Sequence, residues 1–313
     1  MDSPAHHECD VAVVGGGIAG LVAAAEAASR GAAVLLFEAA GMHGGLVVNV
    51  GALDDYPAPG TLSGVALAEA LLARARASGA QTVAARVDRI EPAGDGYALV
   101  VDSGKRYAAR SVIVATGARL RRLDVPGEAA LTGRGVSQCD WCDGGFFRDQ
   151  PVAVVGGGDA ALQAALHLAK TCSTVTVIVR GADARARQSY LTRAAEQPRI
   201  EFLWETRVAE ILGADRVEGL RLESSDRHAP TSLACAGVFV FAGLVADTAC
   251  VPPAVERDAD GRLCTVTQFE TALAGLYAVG AVRSGHRGSL AVVVGEAAAA
   301  AQAASERLRA EVS

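Results

Sequence analysis

Short apolar runs, each closed by glycine and followed by an alanine-rich stretch of helical character, organise most of this 313-residue chain. Asp10-Val11-Ala12-Val13-Val14 has the length and β-branched content of a strand buried on both faces. It runs into Gly15-Gly16-Gly17-Ile18-Ala19-Gly20 and then a helix to about residue 29. Val34-Leu35-Leu36-Phe37 reads as a second buried strand, closed by Glu38. A loop rich in glycine, proline and aspartate covers 41–60 and a helix is expected over 64–78. Alternating apolar positions over 81–101 predict a β-meander, and a further buried strand over 111–118 contains Ala115-Thr116-Gly117. The strand–glycine–helix pattern then recurs: Val152-Ala153-Val154-Val155 enters Gly156-Gly157-Gly158-Asp159-Ala160-Ala161 and a helix to about residue 169. Strands are expected at 175–179, 200–203, 217–222 and 238–241, then a strand and turn over 276–282 and a helix from about 291. This alternation predicts an α/β protein with two Rossmann-like dinucleotide-binding domains.

The first glycine run is G-x-G-x-x-G set between strand and helix, so each position carries a physical requirement. Gly15 allows the tight turn, Gly17 lets backbone approach a pyrophosphate, and Gly20 lets helix and strand pack closely. Ile18 and Ala19 open a helix whose N-terminal dipole faces the phosphate charge, and the Glu38 carboxylate can accept hydrogen bonds from ribose hydroxyls. The second run is G-x-G-x-x-A, with Gly156, Gly158, Asp159 and Ala160 as candidate nicotinamide-dinucleotide residues. Its following strand ends in Arg180 rather than an acid, which suits a 2′-phosphate and favours NADPH over NADH.

Between the two fingerprints lies Cys139-Asp140-Trp141-Cys142-Asp143-Gly144. Two cysteines at this spacing can close a small reducible disulfide, and the adjacent acid can move the proton that thiol chemistry needs. A C-x-x-C can also supply half a zinc site, but no second C-x-x-C or H-x-x-x-H completes four ligands, so no metal is expected. Cys9, Cys172, Cys235, Cys250 and Cys264 are scattered and read as small buried hydrophobes. His43 and His286 lie in loops and read as solvated polar residues, with a base role toward a substrate thiol as the alternative; Trp141 is a packing residue or a substrate platform, and Arg119, Arg121 and Arg122 read as a solvated hinge face.

Composition narrows the class. Apolar residues make up 51% and charged ones 20%, which excludes a disordered chain. The length suggests about two domains. A net charge of −6 argues against a nucleic-acid partner. No apolar run approaches the roughly 18 residues of a membrane span, and Met1 to Asp10 lacks the basic start and apolar core of a signal peptide, so a cytoplasmic protein is expected.

Taken in order, Gly15 to Gly20, Tyr56-Pro57, Ala115-Thr116-Gly117, the Cys139–Gly144 stretch and Val154 to Asp159 resemble the low-molecular-weight thioredoxin reductase family over nearly the whole chain. The resemblance implies a discontinuous FAD-binding domain, residues 1–117 and 245–313, with a pyridine-nucleotide-like domain, 118–244, inserted into it and carrying the C-x-x-C. It implies that Cys142 faces the flavin, Cys139 exchanges with an external thiol, and Asp143 serves as acid–base. Gly45, Asp55, Thr116, Gly117, Gly280, Ala281, Ser289 and Leu290 then join the FAD-binding set, and a homodimer is implied.

Three positions depart from the family pattern. Its phosphate clamp, H-R-R-x-x-x-R, reads Val179-Arg180-Gly181-Ala182-Asp183-Ala184-Arg185, so Arg180 and Arg185 survive and one arginine is lost. Losing a charge-assisted phosphate contact costs about 1.5–3 kcal/mol, a tenfold to hundredfold loss of affinity. Gly280-Ala281 replaces a Gly-Asp turn, so flavin contacts would pass to backbone amides near Gly288-Ser289-Leu290. Asp55 stands where many relatives carry asparagine and reads as a solvated charge. The thinned clamp and intact cysteine pair resemble most closely the branch of NADPH-independent FAD dithiol oxidases, which close disulfides in natural products such as gliotoxin, holomycin and romidepsin. The expectation is therefore an oxidase that takes electrons from a small-molecule dithiol and passes them to molecular oxygen, its second fingerprint a structural relic. The alternative is an NADPH-dependent reductase acting on thioredoxin or a thioredoxin-like protein.

Overall fold

The computed structural model describes residues 8–54, 56–57, 62–225, 230–286 and 288–310. The chain divides into two compact units, Met1–Arg119 with Val245–Ser313, and Leu120–Leu244.

In the discontinuous unit, β1 (Cys9–Val14), β2 (Val34–Glu38), β3 (Gln81–Ala84), β4 (Val87–Ala93), β5 (Gly96–Val101) and β6 (Arg106–Val114) form one sheet in the order β3-β2-β1-β6-β5-β4. The strand Leu276–Ala278 adds parallel to β6 after the chain returns. Central β1 pairs in parallel with β2 and β6, placing Val13 between Leu36 and Ile113, all fully buried. Continuous apolar runs form these strands because both faces are covered. Residues 81–84 were expected in the meander, but β3 runs parallel to β2 at the sheet edge. It is reached through α2 (Gly64–Ala77), a crossover helix of the kind that parallel pairing requires. Only β4, β5 and β6 form the antiparallel meander.

One sheet face is covered by α1 (Ile18–Ser29), α2 and the C-terminal helix Leu290–Ala310. Alanines dominate where α1 meets the C-terminal helix (Ala23, Ala27, Ala300, Ala304), and side chains this small let the helices approach closely. Within that apolar stripe sits one acid, Glu296, 4% exposed. Its Oε2 accepts from the Gly280 N–H at 2.9 Å, and its other oxygen pairs with Arg283. A buried carboxylate thereby fastens the turn after Leu276–Ala278 to the C-terminal helix.

The inserted unit has a parallel sheet in the order Ile200–Leu203, Thr174–Ile178, Pro151–Val155, Gly237–Val240, Val136–Ser137. A separate antiparallel sheet joins Thr206–Leu212, Gly219–Ser224 and Ser232–Ala234. The expected strand at 217–222 starts later, because the Val217 N–H is drawn to the Arg134 carbonyl instead. The strand Thr206–Leu212 was not anticipated; its mixed Arg207, Glu210 and apolar pattern suits a sheet with one wet face.

Removing one partner of a buried ion pair costs about 3–5 kcal/mol, whereas an exposed pair contributes under about 1 kcal/mol. Glu296→Ala should therefore lower the thermal unfolding temperature by several degrees. Arg74→Ala, which removes an exposed pair with Glu26, should shift it by a degree or two at most in the same melting experiment.

Candidate redox centre and nucleotide sites

Cys139 and Cys142 are joined as a disulfide with Cα atoms 5.3 Å apart. The bridge closes one short helical turn, Asp140–Asp143, capped by Cys139, whose sulfur accepts the Cys142 N–H at 3.1 Å. Cys142 is exposed and Cys139 half-buried. Asp143, half-buried, is held from below by Ser137: the hydroxyl donates to Asp143 Oδ2 at 2.6 Å and accepts the Cys139 N–H at 3.0 Å. One side chain thus fixes both the predicted acid and the backbone of the first cysteine. Ser137 was missed in the sequence because a serine two residues before a cysteine carries no motif. Asp143, Ser137, Arg134, Arg216 and Phe146 line a cavity of about 610 Å³ within this unit. Asp140, between the cysteines, is buried and accepts from His167 Nδ1 at 2.8 Å, and Trp141 stacks on the His167 ring at 3.9 Å.

Of the remaining thiols, Cys9, Cys172, Cys235 and Cys250 are buried as expected, whereas Cys264 is half-buried. Burial pushes Cys9, Cys235 and Cys250 up to about 12 and also raises Cys172 and Cys264, so these thiols stay protonated near neutral pH.

At the first fingerprint, Gly15 has φ +105°, and a Cβ there would lie 2.4 Å from the Ala115 carbonyl. A Cβ on Gly20 would lie 1.8 Å from the Gly15 carbonyl. These two glycines are required by packing. Gly17 is different: an added Cβ meets nothing nearer than 4.0 Å, and no side chain caps the α1 N-terminus that it begins. Open space over an uncapped helix start fits a phosphate group. Gly44 and Gly45 fold over this turn, with the Gly44 N–H on the Gly16 carbonyl and Gly45 beside Gly17. The ring of His43 lies against Gly16, and its buried Nε2 has no partner among the described residues. An orphaned polar atom beside an open phosphate cradle fits a bound dinucleotide.

Several predicted residues have structural work that the sequence did not reveal. Glu38 accepts from the Gly16 N–H and the Ala40 N–H, each at 2.7 Å, so the acid braces the glycine turn with the lone pairs left to it free for a ribose. Thr116 donates its hydroxyl to the Asp247 carbonyl at 2.5 Å, and the Gly117 carbonyl accepts the Asp247 N–H. Gly280, φ +73°, sits against Ala19, and Ala281 follows in the same 3-10 turn. The Ser289 carbonyl starts the helix that Leu290 begins, and both are half-buried. Asp55 lies outside the described residues. His286 Nε2 already accepts the Gly288 N–H and burial lowers its pKa, so it has no free basic nitrogen to serve as a base.

The second fingerprint repeats the device: Gly156 has φ +144°, and a Cβ there would lie 2.4 Å from the Phe241 carbonyl, while Gly158 opens onto free space. Asp159 begins the following helix, Asp159–Leu168, but its carboxylate takes the backbone N–H and Nε of Arg187, both at 2.7 Å. Ala160 follows in that first turn. Arg185 and Ala186 donate their N–H groups to the Gly157 carbonyl at 2.7 and 3.0 Å, fastening the arginine loop to the fingerprint. Arg180 is exposed and lines a separate cavity of about 350 Å³ with Thr206 and Ser224. Arg187, a third arginine in this loop, was not anticipated.

Comparison with known proteins agrees with this geometry. The family model for pyridine nucleotide-disulphide oxidoreductases matches residues 9–305. The thioredoxin reductase of Treponema pallidum is 36% identical over 297 residues, 95% of this chain and 96% of that protein. That of Listeria monocytogenes is 33% identical over 298 residues, 95% of this chain and 93% of that protein. The crystal structure of Lactococcus lactis thioredoxin reductase superposes with a TM-score of 0.91 at 32% identity, covering 96% of this chain and 98% of that one. These relatives overturn the expectation of an oxygen-dependent dithiol oxidase acting on a small molecule: proteins similar along almost the entire length are named as reductases. The misreading arose from Gly181. Losing one arginine suggested a lost site, yet the loop stays attached to the second fingerprint through backbone hydrogen bonds that no side chain supplies. Nor does any described helix have the length and apolarity to cross a membrane.

If Ser137 orients Asp143, Ser137→Ala should slow reduction of the disulfide by dithiothreitol by about three- to tenfold near neutral pH. Asp143→Asn should slow it by about a hundredfold, the lower range for a positioned acid–base. Equal rates for Ser137→Ala and wild type, followed by thiol alkylation and mass, would separate Asp143 from Ser137.

Proposed function

This chain belongs to the pyridine nucleotide-disulphide oxidoreductase family, on its thioredoxin reductase-like side, and we propose that it is an FAD-containing, NADPH-dependent reductase of thioredoxin or a thioredoxin-like protein. The observation that carries the reading is the combination, in one chain, of the Cys139–Cys142 bridge beside Asp143 with two fingerprint turns that both keep an open glycine at a helix start. The discontinuous unit would hold FAD through Gly15, Gly17 and the α1 N-terminus, with Glu38 toward the ribose. The inserted unit would hold NADPH through Gly156, Gly158 and the Asp159 helix, with Arg180 and Arg185 toward the 2′-phosphate.

Bound FAD would supply two-electron transfer from the nicotinamide to the disulfide. Opening the bridge takes two electrons and two protons and leaves two thiols, and Asp143 would give and recover a proton at Cys142. The Cys139 thiolate then attacks the partner's disulfide, breaking that S–S bond and forming a mixed disulfide. Cys142 attacks Cys139 Sγ, releases the partner as a dithiol and restores the bridge. The cytoplasm, where thioredoxin is kept reduced, is the compartment this chemistry suits.

Two variants test the reading in an NADPH-oxidation assay with oxidised thioredoxin. Arg185→Ala should raise the KM for NADPH by about ten- to a hundredfold and leave that for NADH almost unchanged, since only NADPH carries the extra phosphate. Cys142→Ser should abolish thioredoxin turnover while leaving the flavin bound and reducible by NADPH. Full turnover by that variant, or an equal loss for both nucleotides in Arg185→Ala, would contradict the assigned roles.

A further inference from the structure

The residues between the cysteines, Asp140 and Trp141, have no part in the chemistry above, yet both are tied to one histidine. Asp140 is a carboxylate on the same helical turn as both sulfurs, and its side chain is only 10% exposed. An unpaired negative charge so placed would oppose formation of the thiolate on which disulfide exchange depends. His167 meets it: Nδ1 lies 2.8 Å from Asp140 Oδ2, and the ring is covered by the Trp141 indole, 11° from parallel. His167 also stands in the last turn of the helix Asp159–Leu168, where the helix dipole favours a cation. Nδ1–H covers the Asp140 oxygen when the ring is neutral and cancels its charge when the ring is an imidazolium.

We propose that Asp140 and His167 form a charge-compensating positioning pair for the redox cysteines, with Trp141 as its cover. The inference rests on reading Cys139–Cys142 as the redox pair of the proposed reductase. Among the described residues, few charged groups stand on the elements packed most closely against the pair. The cysteine turn packs chiefly against the 3-10 turn Gly144–Phe147, which has no titratable group, and against the Asp159–Leu168 helix. That helix has only one other, Asp159 at its far end, which is held by Arg187. Within the cysteine turn itself, Asp143 is engaged by Ser137. Lys170 follows the helix three residues beyond His167.

The chain has a use for such a pair. The carboxylate lets the turn be fastened to the helix of the second fingerprint by a partly buried hydrogen bond, and the histidine keeps that carboxylate from suppressing the thiolate. Both residues would act on the sulfurs through position and charge.

The test needs neither NADPH nor thioredoxin, so it can fail independently of the proposed function. Full-length protein is reduced with dithiothreitol, which leaves as its cyclic disulfide while Cys139 and Cys142 become thiols. Excess reductant is removed, and alkylation by iodoacetamide is followed by peptide mass from pH 5 to 10; each thiolate displaces one iodide. His167→Ala should move the pH midpoint of the faster cysteine up by about one unit and slow its alkylation at pH 7 by about tenfold. His167→Asn, which can keep a hydrogen bond but not a charge, should also move it up and guards against loss of packing. The decisive variant is Asp140→Asn with His167→Ala: removing both partners should return the midpoint to within about 0.3 units of wild type. An unchanged midpoint in His167→Ala would overturn the proposal. So would a double variant shifted as far as His167→Ala, since a purely packing role predicts no rescue.

Discussion

The two fingerprint turns are built around two of the places in this chain where backbone passes so close to backbone that no side chain fits. At Gly15 a Cβ would fall 2.4 Å from the Ala115 carbonyl, and at Gly156 the same distance from the Phe241 carbonyl. Each contact clamps the end of a central parallel strand to the turn that starts a helix. Each therefore aims the helix's free N–H groups at the space in front of a second glycine, Gly17 or Gly158, which stays open. The sheets, the alanine-rich helix packing and the buried Glu296 all serve to keep those junctions in register. At the first junction Glu38 binds the Gly16 N–H, and at the second the Arg185 loop binds the Gly157 carbonyl.

The cysteine turn depends on the second junction. Its brace partner His167 sits on the helix that Gly158 begins, and its acid Asp143 is held by Ser137 at the end of a strand of the same sheet. A disulfide closing one turn of helix needs such outside support, because a four-residue helix has almost no stability of its own. The supporting residues are polar and buried or half-buried, which fixes geometry more tightly than apolar packing alone.

Strands and fingerprints were legible in the sequence because they obey periodic and steric rules: apolar runs for strands buried on both faces, glycine where a Cβ cannot go. The C-x-x-C with its following acid was legible because its spacing has few uses. Ser137, Arg187 and His167 were not, since each acts through contacts made across the fold by residues of ordinary type. Glu296 left a faint signal, a lone acid in an otherwise apolar helical run, that could have been read as a buried anchor. β3 was misassigned because a short, mostly exposed edge strand has the same polar alternation in a parallel sheet as in a meander. The direction of electron flow was misread from one missing arginine, when the surviving loop was held by backbone atoms that sequence does not display.

The central claim is that nicotinamide electrons reach the Cys139–Cys142 bridge. The most direct test mixes the oxidised, FAD-loaded protein with two equivalents of NADPH without oxygen, quenches with an alkylating reagent and weighs the product. The account predicts two added alkyl groups, both on the peptide containing Cys139 and Cys142, with fewer after NADH at the same concentration. No alkylation above the untreated protein, with the bridge still reducible by dithiothreitol, would show that the second fingerprint delivers no electrons to it.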